Sequence, residues 1–175
     1  QAKADEFEAL FNGSPIGLAI TQDAHCRAVL MNPALAKMFN TRAGRTELPP
    51  PGQPPAAGAA HVFRHGREVP VDELPIQRTC AQGVELSDVE LDVVHPDGHT
   101  VNVLGYAVPL HDPKGALRGA IGAFVDITER KHAEERLIAA ERKLRESQHL
   151  VELAQEAGHV GFFDYHFAED KLVRT

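Results

Sequence analysis

Hydrophobic positions recur every second residue over the stretch that follows Val84. Val89, Leu91 and Val93 alternate with Asp88, Glu90 and Asp92, the period of a strand with one buried face. Pro96-Asp97-Gly98 interrupts the run as a hairpin turn, because Gly supplies the positive φ such a turn needs. Val101–Leu110 returns, Asp112-Pro113-Lys114-Gly115 turns again, and Leu117–Asp126 completes a predicted antiparallel meander. Upstream, residues 2–11 set Phe7, Leu10 and Phe11 on one helical face, and Asn12-Gly13 stops that helix. Ser14–Thr21 and Ala28–Met31 read as a hairpin, and Asn32-Pro33 starts a short helix carrying Leu35, Met38 and Phe39.

Between these elements the pattern weakens. Residues 41–60 are polar and then rich in Pro and Gly, which predicts a mobile surface loop. Within 61–83 a short helix containing Leu74, Ile76 and Cys80 is expected, capped by Asp72 and closed by Gly83. Counting strands gives an α+β chain with a five-stranded antiparallel sheet.

The third meander strand runs with almost no linker into a charged amphipathic helix. Heptads counted from Arg130 put Arg130, Leu137, Leu144 and Val151 at a, and Ala133, Ala140, Ser147 and Ala154 at d. The small d residues make a weak seam, suited to changing register, and Arg136 faces Glu141 of a parallel partner. After Val151 the order helix, Gly, strand, turn and strand repeats the opening of the chain, which predicts the start of a second copy of the domain. Its meander is missing, so it is expected to be poorly ordered or docked on another chain. The chain begins at Gln1 and stops at Thr175, which reads as a piece of something longer.

Composition narrows the function classes. The chain has 175 residues, 43% of them hydrophobic, enough for one domain with a core. A net charge of −7 argues against a nucleic-acid surface, which needs clustered Lys and Arg. No apolar run reaches the roughly 20 residues of a membrane helix, and two cysteines, Cys26 and Cys80, suit a reducing cytoplasm. Direct membrane insertion is therefore not expected. No nucleophile–base pair, phosphate loop or metal cluster suggests an enzyme.

Three stretches carry a resemblance: the NPALAKMF helix start, the HPDGHTVNVLGYAVPL hairpin and the GAIGAFVDITERK strand-to-helix ending. Together they resemble the PAS domain family over about residues 5–130. The resemblance implies a PAS fold with short helices on one face of the sheet, a sensory role, and transmission through Asp126, Ile127 and Thr128 into the following helix. It divides the chain into an N-terminal helix (1–12), a sensor (13–128), a signalling helix (129–157) and the truncated second domain (158–175). It further implies a cytoplasmic bacterial signalling protein with several such domains, a sensor histidine kinase or alternatively a diguanylate cyclase.

PAS domains hold small molecules between the inner sheet face and the short helices. Alternation assigns Val89, Leu91, Val93, Val101, Val103, Gly105, Ala107, Ala120, Gly122 and Phe124 to that face. All are apolar, so the expected ligand is a small apolar molecule, with a core filled by side chains and ligand-free dimerisation as the alternative. Flavin is disfavoured, because its polar edge would go unpaired at about 1–3 kcal/mol per group; the Asn-Cys-Arg motif of photoactive relatives is also missing, and His25-Cys26-Arg27 falls in a hairpin turn. Haem is disfavoured because His61 and His65 sit in a Pro/Gly-rich context and are read as exposed loop residues. The His61/His65 and His95/His99 spacings are read as coincidence, not as metal sites. No cofactor is expected. The opposite face offers Leu104 and Tyr106, which with Phe7, Leu10, Phe11, Leu137 and Leu144 predict a homodimer surface. His132 and His149 lack the His-Glu-x-x-x-Pro pattern of a phosphoacceptor.

Overall fold

In a computed structural model of the chain, residues 2–49, 53, 58–158, 163–166 and 171–174 are described, with side chains as far as Glu156. The chain divides into two units, residues 1–129 and 130–175.

The first unit opens with α1 (Ala2–Gly13), β1 (Gly17–Thr21) and β2 (Ala28–Met31), then α2 (Pro33–Met38). Asn32 caps α2 with its side chain and Pro33 takes the first helical position, as the Asn-Pro pair predicts. Next come β3 (Gly44–Glu47), β4 (His61–Arg64), β5 (Arg67–Glu68), a 3-10 turn (Val71–Glu73) and α3 (Pro75–Gln82). The meander is β6 (Leu86–Val94), β7 (Thr100–His111) and β8 (Leu117–Asp126), and α4 (Thr128–Gly158) begins two residues later.

All eight strands of this unit form one antiparallel sheet in the order β3-β2-β1-β8-β7-β6-β4-β5. The count of five is therefore corrected to eight. Residues 44–47 are an edge strand on β2 instead of loop, with Val29 opposite Thr46 and Leu30 opposite Arg45. His61 belongs to β4, which pairs with β6, and His65 occupies the turn into β5 with φ of 51°. These added strands are two to four residues long and mostly polar, too short to display a period. Asp72 does not cap α3: the cap is Leu74, without a side-chain hydrogen bond, and Asp72 lies in the 3-10 turn before it. Gly83 does close the helix, in the left-handed conformation that Gly adopts without strain.

The meander pairs Val89 with Gly105, Leu91 with Val103 and Val93 with Val101, then Gly105 with Phe124 and Ala107 with Gly122. An irregularity between Leu86 and Val89, with Asp88 at φ of 54°, bends the start of β6. One core joins Ala19, Val29, Leu35, Ile76, Val93, Val103 and Phe124. A smaller cluster holds Val62, Val89 and Leu91. α3 packs over β7 and β8, close enough that a Cβ at Gly122 would come within 2.7 Å of Ile76.

In the second unit, the exposed α4 carries Arg142–Glu146 at 3.0 Å and Arg130–Glu134 at 3.8 Å as ion pairs one turn apart. The strands β9 (Phe163–His166) and β10 (Lys171–Arg174) pair with each other antiparallel. The expectation of disorder or docking for 158–175 falls largely on residues outside those described. No described helix is long and apolar enough to cross a membrane.

Candidate ligand cavity and strand-to-helix junction

The ten residues assigned to the inner face are all buried. Among them only Phe124 borders an apolar cavity with a volume of about 650 Å3. Val89 and Leu91 border a second hollow of about 420 Å3. The remainder lie away from both spaces, and the lack of a side chain at Gly122 lets Ile76 of α3 come close to β8. The open space is lined from strands near both ends of the sheet. Its walls are Ala19 of β1, Val29 and Met31 of β2, Leu35 and Phe39 at α2, Val62 of β4, and Leu74, Pro75 and Ile76 at α3. Phe39 meets Phe124 edge to face, with ring centroids 6.1 Å apart. Period-two reading of the long strands had no means of finding this, since half of the wall comes from short strands and loops.

Polar groups reach the cavity at Thr41, Thr46, Glu47, Glu68 and Gln77. His61, also on the wall, holds Glu68 through Nδ1 and Oε1 at 2.6 Å, each side chain about half exposed. Such a lining, apolar with a few convergent polar groups, has the character of a small-molecule site. Among the described residues, no cluster of three or more His, Cys, Asp or Glu could hold a metal.

The junction between β8 and α4 is a closed hydrogen-bond circuit. Asp126 Oδ1 accepts from the Thr128 amide at 2.9 Å and from the Thr128 hydroxyl at 2.6 Å. Thr128 Oγ1 in turn accepts from the Asn102 amide at 2.9 Å, and the Ile127 amide donates to the Asn102 carbonyl at 2.8 Å. Asn102 Nδ2 donates to Asp92 Oδ1 at 2.6 Å. Ile127 is buried, and Asp126 is exposed. The Asp126-Ile127-Thr128 triplet is thereby stitched to Asn102, near the start of β7. Asn102 does this chiefly with its backbone, which leaves no mark in side-chain pattern.

The residues assigned to a dimer surface fall into three environments. Phe7 and Leu10 are exposed on α1, at 49% and 69%, whereas Phe11 is buried, at 5%. α1 meets α2, and the Phe11 carbonyl accepts from Asn32 Nδ2 at 3.0 Å. Phe11 is thus an interior residue of its own chain. Leu104 and Tyr106 are half-buried on the outer sheet face, the Tyr106 hydroxyl donating to Asp88 at 3.0 Å. Leu137 and Leu144 are exposed on α4, and so are Ile138, Leu150 and Leu153, which lie off the a and d positions.

Among curated proteins, none matches the chain. Several solved structures do. An RNA-binding light-oxygen-voltage receptor aligns with a TM-score of 0.53 at 15% identity, over 83% of this chain and 39% of that one. A sensory box histidine kinase/response regulator from Burkholderia thailandensis is 19% identical over 81% of this chain and 98% of its own, with a TM-score of 0.46. The PAS domain of Bordetella pertussis BvgS is 20% identical over 80% and 98%, with a TM-score of 0.44. At 15% identity the first of these likenesses speaks to fold alone. The PAS fold family matches residues 11–132, the span that carries the whole eight-stranded sheet, its α2–α3 cover and the strand-to-helix junction, and the chain belongs to that family.

Proposed function

We propose that this PAS domain is the sensory module of a cytoplasmic bacterial signalling protein, a sensor histidine kinase, and that it senses a small, mainly apolar ligand. The ligand occupies the 650 Å3 cavity, within the usual size for small-molecule sites. Its apolar body lies against Leu35, Phe39, Ile76 and Phe124, and a polar end faces His61, Glu68 or Gln77. Occupancy passes through Asp126-Ile127-Thr128 to α4, which pairs with a second copy through Leu137 and Leu144. In this reading 1–12 is an accessory helix, 13–128 the sensor, 129–157 the signalling helix and 158–175 the beginning of a further sensor.

The observation that carries the reading is the position of β8. Phe124 borders the cavity, and Asp126, two residues along the same strand, holds the start of α4. A ligand that displaces Phe124 therefore acts on a strand whose end is the helix cap.

A second reading, a dimerisation module without ligand, is favoured by the row of exposed leucines on α4. Native mass spectrometry of the purified chain separates the two. Sensing predicts a bound small-molecule mass that disappears in Ala60→Trp, a substitution on the cavity wall, while the dimer persists. A dimer with no bound mass favours the second reading.

A further inference from the structure

Cys26 and Cys80 are distant in the chain but belong to one core cluster and border one hollow. Cys26 lies in the turn between β1 and β2, and Cys80 in α3. Both are free, both belong to the main core cluster, and each is 5% exposed. Each thiol shifts the other's pKa, in opposite directions. Both also border a hollow of about 710 Å3, whose rim includes Asp23, Arg27 and Asp72. A small solute entering that hollow meets both residues.

The turn is built to hold this arrangement. Asp23 receives the amides of His25 at 2.9 Å and Arg27 at 3.0 Å on its carboxylate, and that of Cys26 at 2.9 Å on its carbonyl. Cys26 itself sits at φ of 52°, a conformation that residues other than Gly adopt only where their surroundings impose it. We propose that Cys26 and Cys80 form a thiol–disulfide switch, closed by a hydroperoxide, that ties the β1–β2 turn to α3.

The two thiols are chemically unlike. The hydrogen bond from Cys26 lowers the pKa of Cys80, against the opposing effect of burial. That same hydrogen bond, with burial added, raises Cys26. Cys80 is therefore the attacking thiolate. Its sulfur displaces alkoxide or hydroxide from the peroxide oxygen and becomes a sulfenic acid. The Cys26 sulfur then attacks Cys80, the S–O bond breaks, and the hydroxyl leaves with the thiol proton as water. Two thiols are oxidised and one peroxide is reduced. A cellular thiol reductant reopens the bond, in keeping with the transient disulfides of reducing compartments.

The consequence lies in α3. Its Pro75, Ile76 and Gln77 wall the apolar cavity, and Gln77 borders the cysteine hollow as well. Closing the disulfide anchors that wall to the sheet.

The test uses the full chain, reduced, freed of reductant and exposed to hydrogen peroxide. Remaining thiols are then alkylated in denaturant and the chain is digested. The switch predicts joint loss of both thiols, one peptide pair bridging Cys26 and Cys80 within a chain, a mass lower by two hydrogens, and reversal by dithiothreitol. In Cys26→Ser, dimedone labels Cys80; in Cys80→Ser, Cys26 stays unlabelled. Circular dichroism and the matching alanine variants control for misfolding, and the wild-type cross-link decides independently of both. Retention of both thiols, arrest of wild-type Cys80 as an oxyacid, or a bridge between two chains overturns the proposal.

Discussion

Asn32 makes the densest set of polar contacts of any side chain described. It is fully buried, and Oδ1 accepts the amides of Leu18 at 2.8 Å and Leu35 at 2.9 Å. Nδ2 donates to the carbonyls of Ile16 at 2.8 Å and Phe11 at 3.0 Å. One amide thus joins the end of α1, the start of β1 and the first turn of α2. Removing it strands buried donors and acceptors that cost about 1–3 kcal/mol each. Asn32→Ala should lower unfolding free energy by about 3 kcal/mol, measured by urea titration. Thr79 is the converse case. It is fully buried on α3, and its hydroxyl has no hydrogen-bond partner among the described residues. Thr79→Val keeps the shape and removes the unpaired group, so the urea midpoint should rise, by about 1 kcal/mol in free energy. A fall would show that the hydroxyl has a partner in solution. The Asn-Pro helix start was legible as a cap; its reach back to Phe11 and Ile16 was not, because long-range acceptors are carbonyls and have no residue type.

At the scale of elements, the meander was readable because each of its long strands gives period-two alternation room to repeat, and its faces fall where that alternation puts them. The strands β3, β4 and β5 were not, since GRTE, HVFR and RE are too short to carry a period and owe their conformation to their neighbours. That omission also hid the cavity, whose wall includes Thr46 of β3, His61 and Val62 of β4 and Glu68 of β5. The junction into α4 was legible as the triplet Asp126-Ile127-Thr128, but its second half, the backbone of Asn102, was not. Asp126 is exposed and its bonds are local, so Asp126→Ala should cost no more than about 0.5–2 kcal/mol, the range of a lost helix cap. In the full-length parent it should nevertheless remove the response to signal. A variant that responds normally would show that the circuit is structural only.

At the scale of the molecule, the first unit combines a tight half and an open half. Small residues on β7 and β8 bring α3 close over one part of the sheet, and the bulkier ring of Phe124, with the short strands beyond, leaves the cavity over another. β8 borders both and ends on the cap of α4. The central claim, that cavity occupancy alters the junction, is tested most directly by amide hydrogen exchange. Exchange at Ile127 and Thr128 is measured with and without dodecanoate as an apolar probe. The account predicts that binding changes the protection of both amides in the wild type and leaves it unchanged in Ala60→Trp. Binding of the probe with identical exchange at Ile127 and Thr128 would contradict it.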